Sequence, residues 1–67
     1  MSWKDDPATS PQLTMLRDLY AYAMGWDKAM GKVHAMKDAK ITKGMASEEI
    51  TRLRNLKAHG QLIEENI

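Results

Sequence analysis

Hydrophobic residues recur along this chain every three or four positions, the spacing of an amphipathic helix, and no stretch shows the alternation of a strand. The first helix is predicted to begin at Thr9, which forms a capping box with Gln12, or at Ser10, which is followed by proline. It is predicted to end at Gly25 in the left-handed conformation. One face of this helix carries the positions expected to contact a core: Leu13, Leu16, Leu19, Tyr20, Ala23 and Met24.

A second helix is predicted over residues 28–38, with Asp27 as its N-cap and Trp26 covering the core at the bend before it. Gly31 lies inside this helix and destabilises it by about 1 kcal/mol relative to alanine, so the helix depends on packing against its neighbours. Its hydrophobic face holds Ala29, Met30, Val33 and Met36.

The third helix is predicted to run from Thr42 to about His59, with Gly60 as its C-cap. Its hydrophobic face holds Met45, Ala46, Ile50, Leu53 and Leu56. Three helices without strands predict an all-α three-helix bundle, with either a short C-terminal fourth helical turn or a frayed tail. The predicted core consists of Leu16, Leu19, Tyr20, Ala23, Val33, Met36, Ala46, Ile50 and Leu53.

A chain of 67 residues forms one small domain, because it buries only about 60% of the surface of its unfolded form. We divide it into a flexible N-terminal arm (1–8), a helical domain (9–60) and a C-terminal tail (61–67). Cysteine is absent, so neither a disulfide nor a thiolate zinc site holds the core. No apolar run approaches the ~18 residues of a membrane helix and no signal peptide is visible, so we expect a cytoplasmic protein without a membrane partner.

Two stretches of the chain resemble a small helical domain of unknown function found in phage and actinobacterial proteins, often near DNA-processing modules. The first stretch has the pattern Ala-Thr-x-x-Gln with leucines following, and the second has Thr-Lys-x-x-Ala-Ser-x-x-Ile-x-x-Leu. The matching residues are Ala8, Thr9, Gln12, Leu16 and Leu19, and then Thr42, Lys43, Ala46, Ser47, Ile50 and Leu53. This resemblance implies a helical fold and a phage or mobile-element origin, but no reaction.

Motifs of catalysis are missing from the sequence: there is no nucleophile elbow, no phosphate-binding loop and no HExxH sequence. His34 has Asp38 one turn later, which is more often a solvated pair than a metal site, and His59 lies on another helix. Glu48 and Glu49 lie in the first turns of the third helix, where negative charge favours the helix dipole. We therefore predict no enzyme activity, no catalytic residue, no cofactor and no metal site.

Basic side chains concentrate in one segment, although the net charge is only +1. Residues 28–57 contain eight basic and three acidic side chains. Such a segment can neutralise phosphates, but it is also typical of a solvated helical face, and the chain has few aromatic residues on which bases would stack. The candidate nucleic-acid-binding residues are Lys28, Lys32, Lys37, Lys40, Lys43, Arg52, Arg54 and Lys57.

Two apolar residues of the first helix, Met15 and Tyr22, lie opposite its leucine face, with Asp18 beside them. Exposed apolar groups on one helix face are typical of an interface, so we assign these three residues to partner binding. The partner is another protein or a second copy of the chain, and the alternative is that the Trp3 arm or the tail residues Leu62, Ile63 and Ile67 cover these residues within the chain. We predict a small regulatory module that docks on a larger protein, with nucleic-acid binding as the second hypothesis.

Overall fold

Helix caps set the ends of three helices, and their hydrophobic faces pack together, in the computed structural model, which describes residues 3–67. The three helices are α1 (Ser10–Met24), α2 (Trp26–Asp38) and α3 (Lys43–Ala58), and short 3-10 turns lie at Trp3–Asp5 and Glu64–Asn66. Over this part of the chain the only extended pairing is an isolated bridge between Pro7 and Thr42. The prediction of an all-α three-helix bundle with a short C-terminal turn is confirmed.

The start of α1 is the predicted capping box, and it also contacts α3. The Gln12 backbone N–H donates to Thr9 Oγ1 at 3.2 Å, and the Thr9 N–H donates to Gln12 Oε1 at 3.0 Å. Gln12 Nε2 then donates to the carbonyl of Lys43 at 3.2 Å. A local cap therefore also joins the first residues of α1 and α3.

The bend between α1 and α2 differs from the prediction. α2 begins at Trp26, two residues early, and Gly25 rather than Asp27 is its N-cap. Gly25 has φ 90° and ψ 161°, so it is not left-handed helical, and its carbonyl accepts from the Ala29 N–H at 3.0 Å. Because glycine adopts this conformation without strain, one residue reverses the chain and Asp27 falls inside the first turn. Trp26 does not cover the core, since its ring is exposed.

Helix α3 ends at Ala58 in a Schellman motif. The Gln61 N–H donates to the Leu56 carbonyl at 2.7 Å, and the Gly60 N–H donates to the Lys57 carbonyl at 3.0 Å. Gly60 has φ 68°, so it is the left-handed residue after the cap, as such a motif requires. The end of α2 has the same bonding pattern with Lys40 at φ 56° in the glycine's place, a left-handed residue that the sequence did not reveal.

Helix α1 packs against both other helices, whereas α2 and α3 do not pack on each other. α1 and α3 run in the same direction, because Gln12 contacts Lys43 at their starts and Tyr22 contacts Lys57 near their ends. Because α2 packs on α1 and not on α3, no third helix of the described chain covers the α1–α3 pair.

The buried core lies along α1. Met45, which the sequence pattern placed on the hydrophobic face of α3, is 56% exposed. Ala23, Met36 and Ile50 of the predicted core are only partly buried. The buried hydrophobic residues are Leu16, Leu19, Tyr20, Ala29, Val33, Ala46, Leu53 and Leu62.

Both ends of the described chain contact the bundle. Leu62 is buried, the turn Glu64–Asn66 contacts α1, and Lys28 Nζ of α2 lies 2.6 Å from Glu64 Oε1. At the other end the Lys43 N–H donates to the Asp6 carbonyl at 2.7 Å. Between residues 3 and 67, no helix has the length and apolar character needed to cross a membrane.

Candidate protein-binding groove

Met15 and Tyr22 are exposed with the whole described chain in place. Met15 is 43% exposed and Tyr22 is 63% exposed. Leu62, the first apolar residue of the tail, is buried in the core instead of covering them, and Trp3 is itself exposed. Met15 and Tyr22 therefore form a free apolar surface on the flank of α1 beside Leu19, and not opposite the leucine face as predicted.

A groove separates this face of α1 from α3. It has a volume of about 480 Å³ and is open to solvent. A second hollow of about 450 Å³ shares Met15 and Asp18 with it and extends along α1 toward Ser10 and Pro11. We call the first of these the α1–α3 groove, and its lining residues are Met15, Asp18, Leu19, Arg54, Lys57 and Ala58.

The rim of the α1–α3 groove is positively charged. Lys57 Nζ lies 4.8 Å from the centre of the Tyr22 ring, which places that ring beside the groove by a cation–π contact. Asp18 is paired with Arg17 at 3.0 Å. Within residues 3–67, Arg54 has no ion pair or hydrogen bond from its side chain. The apolar floor therefore lies beside cations with no acidic partner.

The eight candidate nucleic-acid-binding residues do not form one continuous track. Three of them have acidic partners: Lys28 with Glu64, Lys43 with Asp6, and Arg52 with Glu49. Lys32 and Lys57 lie over the rings of Tyr20 and Tyr22, respectively. The structure brings together two pairs, Lys37 with Lys40 beside the start of α1 and Arg54 with Lys57 in the α1–α3 groove.

A polar cluster that the sequence did not indicate surrounds Tyr20. Its side chain is fully buried, and its hydroxyl has no hydrogen bond of normal geometry, although it lies close enough to Glu49 to interact electrostatically. Burial, and then the charge of Glu49, raise the pKa of Tyr20.

The same cluster holds Glu49 and Arg52 in their charged forms. Burial acts to raise the pKa of Glu49, but the hydrogen bond from Arg52, the Tyr20 hydroxyl and the charges of Arg52 and Lys32 together lower it. The hydrogen bond to Glu49 raises the pKa of Arg52. None of these shifts moves a group toward neutral pH, so the cluster stabilises the fold rather than exchanging protons there.

Histidines and carboxylates are dispersed over the described residues, where no three of them lie close enough to hold a metal ion. His34 is exposed, and His59 Nδ1 lies 2.7 Å from the carbonyl of Asn55 in its own helix. Both histidines therefore lie on the solvated surface.

Sequence reasoning assigned two of the six residues that line the α1–α3 groove to a protein-binding surface. It singled out Met15 and Asp18 as neighbours on α1, but it assigned Arg54 and Lys57 to the nucleic-acid hypothesis, placed Leu19 only in the core and did not name Ala58. The sequence shows the i, i+3 spacing of Arg54 and Lys57. It does not show that α1 and α3 pack in parallel, which brings these two residues beside Met15 and Asp18.

No protein-family model, curated protein or solved structure matches this chain. The resemblance to a phage and actinobacterial domain therefore stays a prediction.

Proposed function

We propose that this protein is a non-enzymatic regulatory module that docks on a larger protein through the α1–α3 groove. The observation that carries the proposal is the exposure of Met15 and Tyr22 when every described residue that could cover them is in place. Methionine and tyrosine are enriched in interfaces, and adjacent exposed apolar groups mark interaction sites more often than scattered ones do.

The chemistry of the groove supports binding rather than catalysis. Its polar lining consists of Asp18, Arg54 and Lys57, and it contains no hydroxyl or thiol beside a base. A shallow, solvent-open groove also does not exclude water from a reacting group. We therefore assign it to recognition of a surface.

Nucleic-acid binding is the second hypothesis. It would use the Lys37 and Lys40 pair beside the start of α1, where both cations line one hollow of about 240 Å³. Phosphate contacts require charge alone, so this hypothesis makes no use of Met15 and Tyr22.

Affinity capture with the full chain tests the proposal. Three baits are compared: the wild type, the double variant Met15→Gln with Tyr22→Ser, and the matched control Met45→Gln. Met45 is another exposed methionine and lies outside the α1–α3 groove. All three proteins are applied to an extract of the source cells, once untreated and once treated with nuclease. We expect the wild type and the Met45→Gln control to retain the same protein, and the double variant to lose it while keeping its helical circular dichroism.

Sedimentation of the purified chain completes the test. Retention that disappears on nuclease treatment would support the nucleic-acid hypothesis. Self-association that depends on Met15 and Tyr22 would replace the larger partner with a second copy. Equal retention by the wild type and the double variant would contradict the proposal.

A further inference from the structure

The positive charge of Arg54 and Lys57 beside the α1–α3 groove favours a ligand with negative charge. We propose that the groove binds an acidic amphipathic helix of the partner, with Arg54 and Lys57 as the residues that recognise its carboxylates. This inference rests on the proposed function, because it names the partner segment of the same site.

A helix is the occupant that the shape of the groove favours. Met15 and Leu19 are one turn apart on α1, and Ala58 is a small residue on the facing side of α3. Two parallel helices with a small residue between them form a trough into which a third helix packs its ridge of side chains. From Pro11 to Tyr22, α1 spans about 16 Å, which accommodates apolar anchors of a partner helix at i, i+3 or i+4, and i+7.

The rim requires negative charge from the partner. Arg54 has no side-chain ion pair or hydrogen bond among the residues described, and Lys57 contacts only an aromatic ring there. Asp18 is the one acidic residue of the described lining, and its ion pair with Arg17 at 3.0 Å leaves the groove with an excess of positive charge from Arg54 and Lys57. Carboxylates on the flank of a docked helix would lie beside the apolar floor, where partial exclusion of water strengthens their attraction to Arg54 and Lys57.

The same charges disfavour two other occupants. A second copy would bring an identical cationic rim against this one, and like charges across an interface repel. A nucleic-acid backbone would supply the anions but would leave Met15 and Leu19 against phosphate and sugar, without apolar contact. An acidic helix satisfies both parts of the groove.

Designed peptides test this inference on the full chain. The probes are three helical 15-residue peptides with the same leucine face and with Glu, Gln or Lys at the flanking positions. Binding is followed by chemical-shift changes of the ¹⁵N-labelled protein, which detect weak affinities. We expect the Glu peptide to bind about tenfold more tightly than the Gln peptide, and the Lys peptide to bind least. The shifts should centre on Met15, Leu19 and Ala58.

Charge reversal provides the matched pair of variants. Arg54→Glu with Lys57→Glu should reverse the order, so that the Lys peptide binds most tightly. Lys37→Glu with Lys40→Glu changes the net charge equally but lies beside the start of α1, so it should keep the preference for the Glu peptide. Comparing these two double variants separates recognition in the groove from an effect of total charge.

Three results would overturn the inference: equal binding of the Glu and Lys peptides, shifts centred away from the groove, or no binding by any peptide. Each leaves the proposed function standing if protein capture still depends on Met15 and Tyr22. Capture independent of those two residues would instead remove the proposed function, whatever the peptides do.

Discussion

Tyr20 is the residue whose chemistry fits its surroundings least well. Its ring is fully buried and lies beneath the Lys32 ammonium, 5.1 Å from the ring centre. Its hydroxyl, however, has lost water without gaining a hydrogen bond of normal geometry. A buried polar group left in this way reduces stability by about 1 to 3 kcal/mol. The ring therefore stabilises the core, whereas the hydroxyl opposes it, because its interaction with Glu49 lacks hydrogen-bond geometry and does not offset the lost water.

Replacing Tyr20 with phenylalanine tests this balance. Tyr20→Phe keeps the ring and its cation–π contact but removes the unpaired hydroxyl, so we expect the free energy of unfolding to rise by about 1 kcal/mol in urea titrations at pH 7. Tyr22→Phe, which changes an exposed tyrosine, is the control and should change it by less than about 0.5 kcal/mol. A fall in stability for Tyr20→Phe would mean that the hydroxyl donates to Glu49.

The same variant makes a prediction for alkaline pH. The pKa of Tyr20 is raised above its ordinary value of 10.0 in the folded protein, so the folded state keeps a proton that the unfolded state loses. This contribution to stability is complete below pH 10 and is lost as the pH rises from there toward the folded pKa. Tyr20→Phe should remove that alkaline loss, as urea titrations between pH 9 and pH 11 would show.

At the level of the helices, two glycines differ in how replacement by alanine should affect stability. Gly31 lies inside α2, and Gly60 follows α3 with φ 68°. A Cβ atom built at either position meets no other atom within 4 Å. Steric clash is thus excluded at both sites, and only the backbone conformation distinguishes them.

Opposite effects on stability are therefore expected from Gly31→Ala and Gly60→Ala. Alanine favours the helical conformation at position 31 and should stabilise the protein by about 1 kcal/mol. It disfavours a positive φ at position 60 and should destabilise it by about 1 kcal/mol. Thermal unfolding of the two variants beside the wild type measures both. Shifts of the same sign would contradict the Schellman motif that ends α3.

For the whole molecule, the C-terminal tail is part of the core. Leu62 is 3% exposed, and Arg52 Nη1 donates to the Asn66 carbonyl at 3.2 Å. In a closed bundle, contact between α2 and α3 would shield the core from solvent. These two helices do not pack on each other here, so the tail shields part of the core instead. A chain this short buries little surface, so loss of the tail contacts should lower its stability measurably.

Leu62→Ala tests the contribution of the tail, with its neighbour as the control. Removing a buried leucine side chain should lower the free energy of unfolding by about 2 to 4 kcal/mol in urea titrations, a large part of the stability of so small a domain. Ile63 is 44% exposed, so Ile63→Ala should lower it by about 0.5 kcal/mol or less. Equal effects of the two changes would show that the tail does not dock as described.

The accuracy of sequence reasoning depended on the range of the interaction. The Thr9 and Gln12 capping box and the Gly60 stop were predicted and are present, because each involves residues within one or two helical turns. The placement of Met45 on the hydrophobic face of α3 did not reveal its exposure, which depends on how the other helices pack against α3. The burial of Leu62 was missed for the same reason: it depends on packing against distant residues.

By itself, the sequence determined the number of helices, most of their ends and the leucine face of α1, since hydrophobic period and capping are local properties of the chain. Only the tertiary structure decided that α1 lies between α2 and α3, and that Arg54 and Lys57 meet Met15 and Asp18 in one groove. Those contacts join residues far apart in sequence, and their geometry follows from how whole helices pack, which no local pattern specifies.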